Sequence, residues 1–316
     1  MPDCPRQLLT PHVAEAIVRR ALPAATVTEV VARTGGQLST IYEVRCTGPV
    51  DAVIVKVYSD QWRWKLAKEV HVYRLLAHHG VRPIPTILHA EPTSDLLDCA
   101  FTVMTLLSGD PLSMVSPRLE AAETHQIYRQ LGATLSAIHR ISQSAYGYLT
   151  NCRILDPQPS NIAYMSRQFT KKLREFTELG GDPALHNIAQ THVAERAGLF
   201  AHCPDPVLCH NDFHEGNVLV TKGPDGWTVT GFIDVENAIA ADPLLDLAKT
   251  DYYSIRGYTA KLSGLLGGYG PLADDWPDRL ALYRLYHALE LWDWFASIGD
   301  TAPLPGITDD IRQLTT

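Results

Sequence analysis

The sequence predicts an α+β fold, with an antiparallel β-sheet region in the amino-terminal part and a mainly helical carboxy-terminal part. Three observations carry this. Apolar runs of period two surround one long helical segment in the first 107 residues. The period becomes helical after Gly109-Asp110-Pro111. Only one β-rich stretch, 206–234, interrupts the helices that follow.

In order along the chain, Thr10 is placed to cap a first helix. Pro11 suits its first turn, and Val13, Ile17, Val18 and Ala21 recur at helical spacing. Strands rich in Val, Ile, Thr and Tyr follow at 26–32, 39–46 and 50–58, with turn signals at Gly35-Gly36 and Gly48-Pro49. A helix from about Asp60 to His79, stopped by Gly80, and strand-like runs near 86–90 and 99–107 complete a small sheet with one helix. Beyond a linker near 105–113, Ser116-Pro117 reads as the start of a helix over 118–141, where Ile127, Leu131, Leu135 and Ile138 share a face. Helices over 160–179 and 184–200 flank Gly180-Gly181. The β-rich stretch divides into strands 206–210, 217–221 and 227–234, turning at Gly223-Pro224-Asp225-Gly226. Helices resume from Pro243, the strongest spanning 277–298. The expected division is 1–107 and 108–316.

Composition narrows the function. The 316 residues are 46% hydrophobic and 20% charged, which excludes disorder, collagen and coiled coil. Acids outnumber bases 35 to 27, a net charge of −8, which argues against nucleic-acid or anionic-membrane partners because both require surplus Lys and Arg. No apolar run reaches membrane-spanning length and no signal peptide is expected. Six scattered cysteines without a C-x-x-C pair point to reduced thiols in a cytoplasmic protein. No sustained heptad pattern marks an oligomer, so a monomer or weak dimer is expected.

Four features carry chemistry. His210-Asn211-Asp212-Phe213-His214-Glu215-Gly216-Asn217 fits H-x-D-x-x-x-x-N between two strands. Phe232-Ile233-Asp234 places an acid at the end of an apolar strand, beyond a hairpin. Val53-Ile54-Val55-Lys56-Val57-Tyr58 sets one lysine inside an apolar strand, and a buried lysine needs a partner. Glu69 lies in the next helix on the face of Val72, Tyr73 and Leu76. Each also has a plainer reading, as turn polarity, a surface-edge lysine or a solvated acid. Their combination in this order is informative. A zinc site using His210 and His214 is a further alternative, though H-x-x-x-H suits a helix and this segment lies between strands.

Chain order, spacing and layout resemble the aminoglycoside phosphotransferase and choline kinase superfamily, which shares the two-lobed protein-kinase-like fold. The resemblance runs from about residue 26 to 298 and is most specific at His210–Asn217 with Phe232–Asp234. Ala241-Asp242-Pro243-Leu244-Leu245-Asp246-Leu247-Ala248 is similar to the G-D-P-x-x-D-L-A segment of these small-molecule kinases, with Ala241 replacing the usual glycine. Asn211 stands where protein kinases carry arginine, and an A-P-E segment with its activation loop is missing, which argues against a protein kinase.

Phosphoryl transfer demands positioning and charge neutralisation. Asp212 is expected to accept or orient the proton of an acceptor hydroxyl. Asn217 and Asp234 are expected to hold magnesium, a hard ion that prefers oxygen. Lys56 is expected to contact the α- and β-phosphates of ATP or GTP, with Glu69 fixing its ammonium. The resemblance implies the same assignments. It also places a phosphate contact at Ser39 in the loop Thr34–Thr40, whose other reading is an ordinary hairpin. Thr105 and Leu107 are expected to offer backbone groups to the purine, with Met104 behind it and Ile54, Leu219 and Ile233 around the base. Those apolar residues also read as core, and both readings can hold.

For the acceptor, the resemblance implies carboxylates on the helical part that meet cationic sugars. The candidates are Glu236, Asp251, Glu290 and Asp293, with Trp294 beside them; Glu290, Asp293, Trp294 and Ser297 share a helical face. Acids and tryptophans would equally suit a quaternary amine through cation–π contact, and a solvated face with core tryptophans is the plainer alternative. The expected function is nucleotide-dependent O-phosphotransfer to a small hydroxylated molecule, first an aminoglycoside or other antibiotic. The alternative is a metabolic kinase of the choline, amino-alcohol, homoserine or sugar type. A kinase-like binding module without activity would lack one of Lys56, Asp212, Asn217 or Asp234, and all four are present.

Overall fold

The computed structural model describes residues 9–33, 39–93, 95–97, 99–203 and 205–316. Helix α1 (Pro11–Ala21) starts where the Thr10 hydroxyl accepts the Val13 N–H. Strands β1 (Thr26–Arg33), β2 (Ser39–Thr47), β3 (Ala52–Tyr58), β4 (Ile87–Glu91) and β5 (Ala100–Thr105) form one antiparallel sheet in the order β1-β2-β3-β5-β4, and α2 (Arg63–His78) intervenes between β3 and β4 in the chain. Because β3 has a neighbour on each edge, its alternation is enforced on both faces. Val53 and Val55 enter the core that contains Ala14, Ile17 and Val18 of α1. Tyr58, two residues from Lys56 and on the same face, packs instead with Leu66 and Val70 of α2.

The carboxy-terminal part is mainly helical, as expected. After β6 (Asp110–Pro111) and α3 (Leu112–Val115) comes α4 (Ala121–Ile138). It begins later than the 118–141 periodicity predicts, because Glu120 and Glu123 form a reciprocal capping box and Ser116–Arg118 makes a separate 3-10 turn. Then follow β7 (Tyr146–Leu149), β8 (Ile154–Gln158), α5 (Asn161–Glu178), α6 (Pro183–Arg196) and β9 (Val207–Cys209). After these come β10 (Val218–Gly223), β11 (Gly226–Phe232), β12 (Ile239–Ala241), α7 (Pro243–Thr250), α8 (Thr259–Tyr269), α9 (Trp276–Ser297) and α10 (Leu304–Leu314).

The β-rich stretch expected over 206–234 is two sheets rather than one. The β10–β11 hairpin pairs with β6, whereas β9 joins a sheet ordered β8-β7-β12-β9. The segment between β9 and β10 carries Asn211 at φ 59, a left-handed conformation that ends strand pairing there. Strands β7, β8 and β12 are short and carry no clear alternation, so sequence reading passed over them. Among the described residues no helix is long and apolar enough to cross a membrane.

Helices α4 and α8 approach through glycine. A Cβ on Gly268 would stand 1.8 Å from the Arg129 carbonyl oxygen, and one on Gly132 2.0 Å from that of Leu265. This close pairing reaches the loop between β9 and β10, because Tyr128 of α4 and Lys261 of α8 each contact Glu215 at 2.8 Å. Gly268→Ala therefore forces the helices apart and is expected to destabilise the protein by about 1–3 kcal/mol. Urea unfolding checks this, and an unchanged midpoint would contradict it.

Candidate active site

The loop His210–Asn217 is held from both sides. Asp246 of α7 accepts the backbone N–H groups of His210 at 2.7 Å and Asn211 at 2.8 Å, and lies 3.1 Å from His139 Nε2. Burial pushes the Asp246 pKa up, but its bond to His139 and the nearby charges outweigh this and leave it below the usual carboxylate range. His210 Nε2 bonds the Ile233 carbonyl at 3.1 Å, which ties the loop to the end of β11. On the other side, Glu215 also accepts from Ser116 at 2.9 Å, and the Thr250 hydroxyl donates to the Phe213 carbonyl at 2.7 Å.

Asp212 is thus presented on a fixed turn. Asn217 Nδ2 donates to its backbone carbonyl at 2.9 Å and lies 3.4 Å from Oδ2. Asn237 Nδ2 lies 3.3 Å from Oδ2, and His214 Nε2 is 3.6 Å from Oδ1. Burial is the main reason that the His214 pKa falls below its ordinary value, so its ring is neutral at pH 7.

Lys56 of β3 is 5% exposed. Its ammonium lies 3.0 Å from Glu69, 3.1 Å from Asp234 and 2.8 Å from Glu236. Burial would lower the Lys56 pKa; Glu69 and Asp234 first, then Tyr58 and Glu236, outweigh it and raise it well above the lysine range. Tyr58 donates to Glu69 Oε2, the oxygen nearer to Lys56, and the Asp234 N–H donates to Tyr73 at 3.1 Å. Asp234 holds φ 66, a left-handed turn that lifts its carboxylate out of the β11 direction.

Lys65 completes the cluster, 3.0 Å from Glu236 and 3.3 Å from Asn237 Oδ1. Lys68 lies nearby with its ammonium 3.4 Å above the Tyr148 ring and, among the described residues, without a hydrogen-bond partner. Burial, with Lys65 adding to it, lowers its pKa to about 6, so at pH 7 it contributes little charge. Three carboxylates, Glu69, Asp234 and Glu236, then contact two ammonium groups, Lys56 and Lys65, and a fourth, Asp212, joins them through Asn237. The two remaining negative charges suit a divalent cation. The amide oxygen of Asn217 and the second carboxylate oxygen of Asp234 accept from no donor among the described residues. This is an oxygen donor set of the kind magnesium takes.

Comparison with known proteins places the chain in a family. The family model described as "Phosphotransferase enzyme family" matches residues 29–292. The chain belongs to that family. It is a phosphotransferase of the small-molecule kinase class. Solved structures share the fold. The aminoglycoside phosphotransferase APH(4)-Ia is 17% identical with a TM-score of 0.74, over 97% of this chain and 98% of that one. Its thermostable mutant in a ternary complex with ADP and hygromycin B is 17% identical at 0.71, covering 95% and 97%. A putative fructosamine-3-kinase from Haemophilus somnus 129PT is 16% identical at 0.67, covering 95% and 96%. The GDP and kanamycin complex of APH(2")-IIia is 13% identical at 0.69, covering 96% and 98%. Among curated proteins none matches this chain by sequence.

In this phosphotransferase, Ile54 and Met104 are register partners on β3 and β5, and Leu219 pairs with Gly231 in the β10–β11 hairpin. Leu107 packs on Gly231, where an added Cβ would stand 2.3 Å from its Cδ1. Ile233 donates its N–H to the Asn217 carbonyl at 2.9 Å. The Thr105 N–H is already bonded to the Thr86 carbonyl at 3.0 Å, which restricts what that residue offers a purine to its carbonyl. Ser39 opens β2; residues 34–38 of its loop lie outside the described residues.

The acids expected to line the acceptor side do not form one wall. Glu236 belongs instead with Lys56 and Lys65, 4% exposed, because two buried ammonium groups draw it inward. Asp251 faces Arg284 at 3.2 Å. Glu290 pairs with Lys249 at 2.5 Å; Lys249 lies 4.6 Å from the centre of the Tyr253 ring, which stacks against His214. Asp293 is buried 3.5 Å from Lys172, whereas Trp294 is exposed and Trp292 packs on Phe176. Among the described residues, the group of potential metal ligands that lie together is His139, Cys209 and Asp246, which includes neither His210 nor His214 of the zinc alternative. Sequence reasoning missed Tyr58, Tyr73, Lys65 and Asn237. Lys65 was findable, because it precedes Glu69 by one helical turn.

Burial, with Glu175 adding to it, raises the Asp293 pKa to about 7 even though Lys172 opposes the shift. The folded state therefore holds a proton that the unfolded chain releases near pH 4. Stability should fall as pH rises from about 4 to 7, at up to about 1.4 kcal/mol per pH unit from this group, then level off. Asp293→Asn is expected to flatten that slope in urea melts across this range, and an unchanged slope would contradict the assignment.

Proposed function

We propose that the protein transfers the γ-phosphoryl group of ATP or GTP to a hydroxyl of a small molecule, with residues 1–107 holding the nucleotide and 108–316 the catalytic and acceptor groups. One observation carries this. A lysine from the sheet and an acid from the end of β11 are in direct contact, while the loop acid Asp212 joins the same cluster through Asn237. Nothing in that arrangement is built for a covalent intermediate, and phosphoryl transfer needs none.

The acceptor hydroxyl gives its proton to Asp212 as its oxygen bonds to the γ-phosphorus. The bond from that phosphorus to the β–γ bridging oxygen breaks, and its electron pair leaves with the nucleoside diphosphate. Lys56 holds the α- and β-phosphates, and Glu69 holds Lys56. Asn217 and Asp234 would hold magnesium, which supplies neutralisation of phosphate charge when bound. Ser39, Ile54, Met104, Thr105, Leu107, Leu219 and Ile233 surround the nucleotide.

An antibiotic acceptor is favoured by the fold's likeness to enzymes crystallised with hygromycin B and kanamycin. A metabolic sugar-amine acceptor is the second reading, favoured by the putative fructosamine-3-kinase of the same fold and by acceptor-side acids that are already paired with Lys249, Lys172 and Arg284. Glu290, Asp293, Asp251 and Trp294 remain the residues to vary for acceptor choice. Buried Cys46, Cys203 and Cys209 without disulfides suit a reducing, cytoplasmic setting.

Nucleotide consumption with hygromycin B, kanamycin, a fructosamine and choline, each with MgATP or MgGTP, identifies the acceptor. In that assay Asp212→Ala should lower turnover by about 10²- to 10⁴-fold while nucleotide affinity stays within about twofold. Retained turnover in the purified variant would contradict the role of Asp212.

A further inference from the structure

The two oxygens of Asp212 are not equivalent. Oδ2 faces two amide donors, Asn237 at 3.3 Å and Asn217 at 3.4 Å. Among the described residues, Oδ1 has only His214 Nε2, at 3.6 Å. An ionised carboxylate accepts and an ammonium donates, so the Asn237 amide has one workable orientation: its nitrogen toward Asp212 and its oxygen toward Lys65, 3.3 Å away. The Asn237 backbone is pinned as well, because its carbonyl accepts from Asn211 Nδ2 at 3.2 Å.

Lys65 belongs to α2, the helix that also carries Glu69, and is 5% exposed. Its other partner, Glu236, reaches Lys56. Lys56, Glu236, Lys65, Asn237 and Asp212 therefore make one unbroken path of polar contacts, none longer than 3.3 Å. One end is the proposed phosphate ligand and the other the proposed base. Rotation of the Asp212 carboxylate would exchange its oxygens, and the amide donors on Oδ2 oppose that rotation.

We propose that Asn237, held by Lys65, is a positioning residue for phosphoryl transfer: it fixes Asp212 Oδ2 so that Oδ1 meets the acceptor hydroxyl, and it ties that orientation to α2. The inference rests on the reading of Asp212 as the base. Asn217 contacts the same oxygen but is committed to the Asp212 carbonyl at the shorter distance of 2.9 Å, so Asn237 is the residue whose side chain links the base to the sheet region.

The test uses the full chain with MgATP and water as the acceptor. Asn237→Leu keeps the side-chain size and removes both polar ends. It should lower kcat by about 10- to 100-fold with nucleotide KM within about twofold. Lys65→Met should lower kcat by about 3- to 10-fold, and Lys65→Arg should restore most of it, because the donor to Asn237 returns. The double variant Lys65→Met with Asn237→Leu should be no slower than Asn237→Leu alone, since both break one path. Parent kcat in Asn237→Leu, a loss confined to KM, or independent multiplication of the two effects would overturn the proposal. A thermal melt accompanies each variant; if Asn237→Leu does not fold, the Lys65→Met and Lys65→Arg pair decides. Asp212→Ala is assayed alongside. If it leaves hydrolysis intact, the reading of Asp212 itself falls, and with it the proposal; if it abolishes hydrolysis while Asn237→Leu does not lower it, only the positioning role falls.

Discussion

A lysine ammonium buried in the middle of a sheet is the constraint on which this structure turns. Lys56 cannot stay charged there alone, because removing one partner of a buried ion pair costs about 3–5 kcal/mol. Glu69 on α2, Asp234 beyond β11 and Glu236 in the following turn satisfy it together. Those partners come from two separate stretches of chain, one on α2 and one just beyond β11. The ion cluster therefore fixes α2 against the sheet and fixes the end of the β10–β11 hairpin against both.

The same cluster is over-supplied with negative charge, and that surplus is what makes it a candidate site and more than a structural knot. A purely structural network tends toward neutrality. Here Lys65 offsets part of the excess, burial leaves Lys68 largely neutral, and among the described residues one oxygen each of Asp234 and Asn217 has no donor. The helical part supplies the rigid frame. Asp246 holds the first half of the loop His210–Asn217 by its backbone, and Glu215, clasped by Tyr128 and Lys261, holds the second. The glycine-mediated approach of α4 and α8 keeps those two side chains within reach of one carboxylate.

How much of this was legible in the sequence depends on range. Lys56 stood out because a lysine among Val and Ile contradicts its surroundings, and Asp212, Asn217 and Asp234 stood out through spacing between strands. The strands of the first sheet and the helical second half followed from periodicity. What stayed hidden depends on tertiary approach. Asn237 and Tyr73 look like ordinary polar and core residues until α2 is laid against the turn after Asp234. Glu236 was readable as an acid near the site but not as a ligand of two lysines, because nothing local announces Lys65 as its partner. The separation of β9 from β10 into different sheets was likewise invisible, since it depends on the left-handed Asn211 in an otherwise strand-like stretch. On the acceptor side, acids read along one helix face proved to have different cationic partners on other elements.

The central claim is that the ammonium of Lys56, kept charged by its carboxylates, is where the nucleotide phosphates dock. The most direct measurement is a crystal structure of the protein with MgADP. The account predicts the Lys56 ammonium within about 3 Å of a phosphate oxygen, with its pairing to Glu69 kept and its contact to Asp234 given up to the metal. Phosphates bound elsewhere, with Lys56 still held by Glu69, Asp234 and Glu236 together, would contradict it.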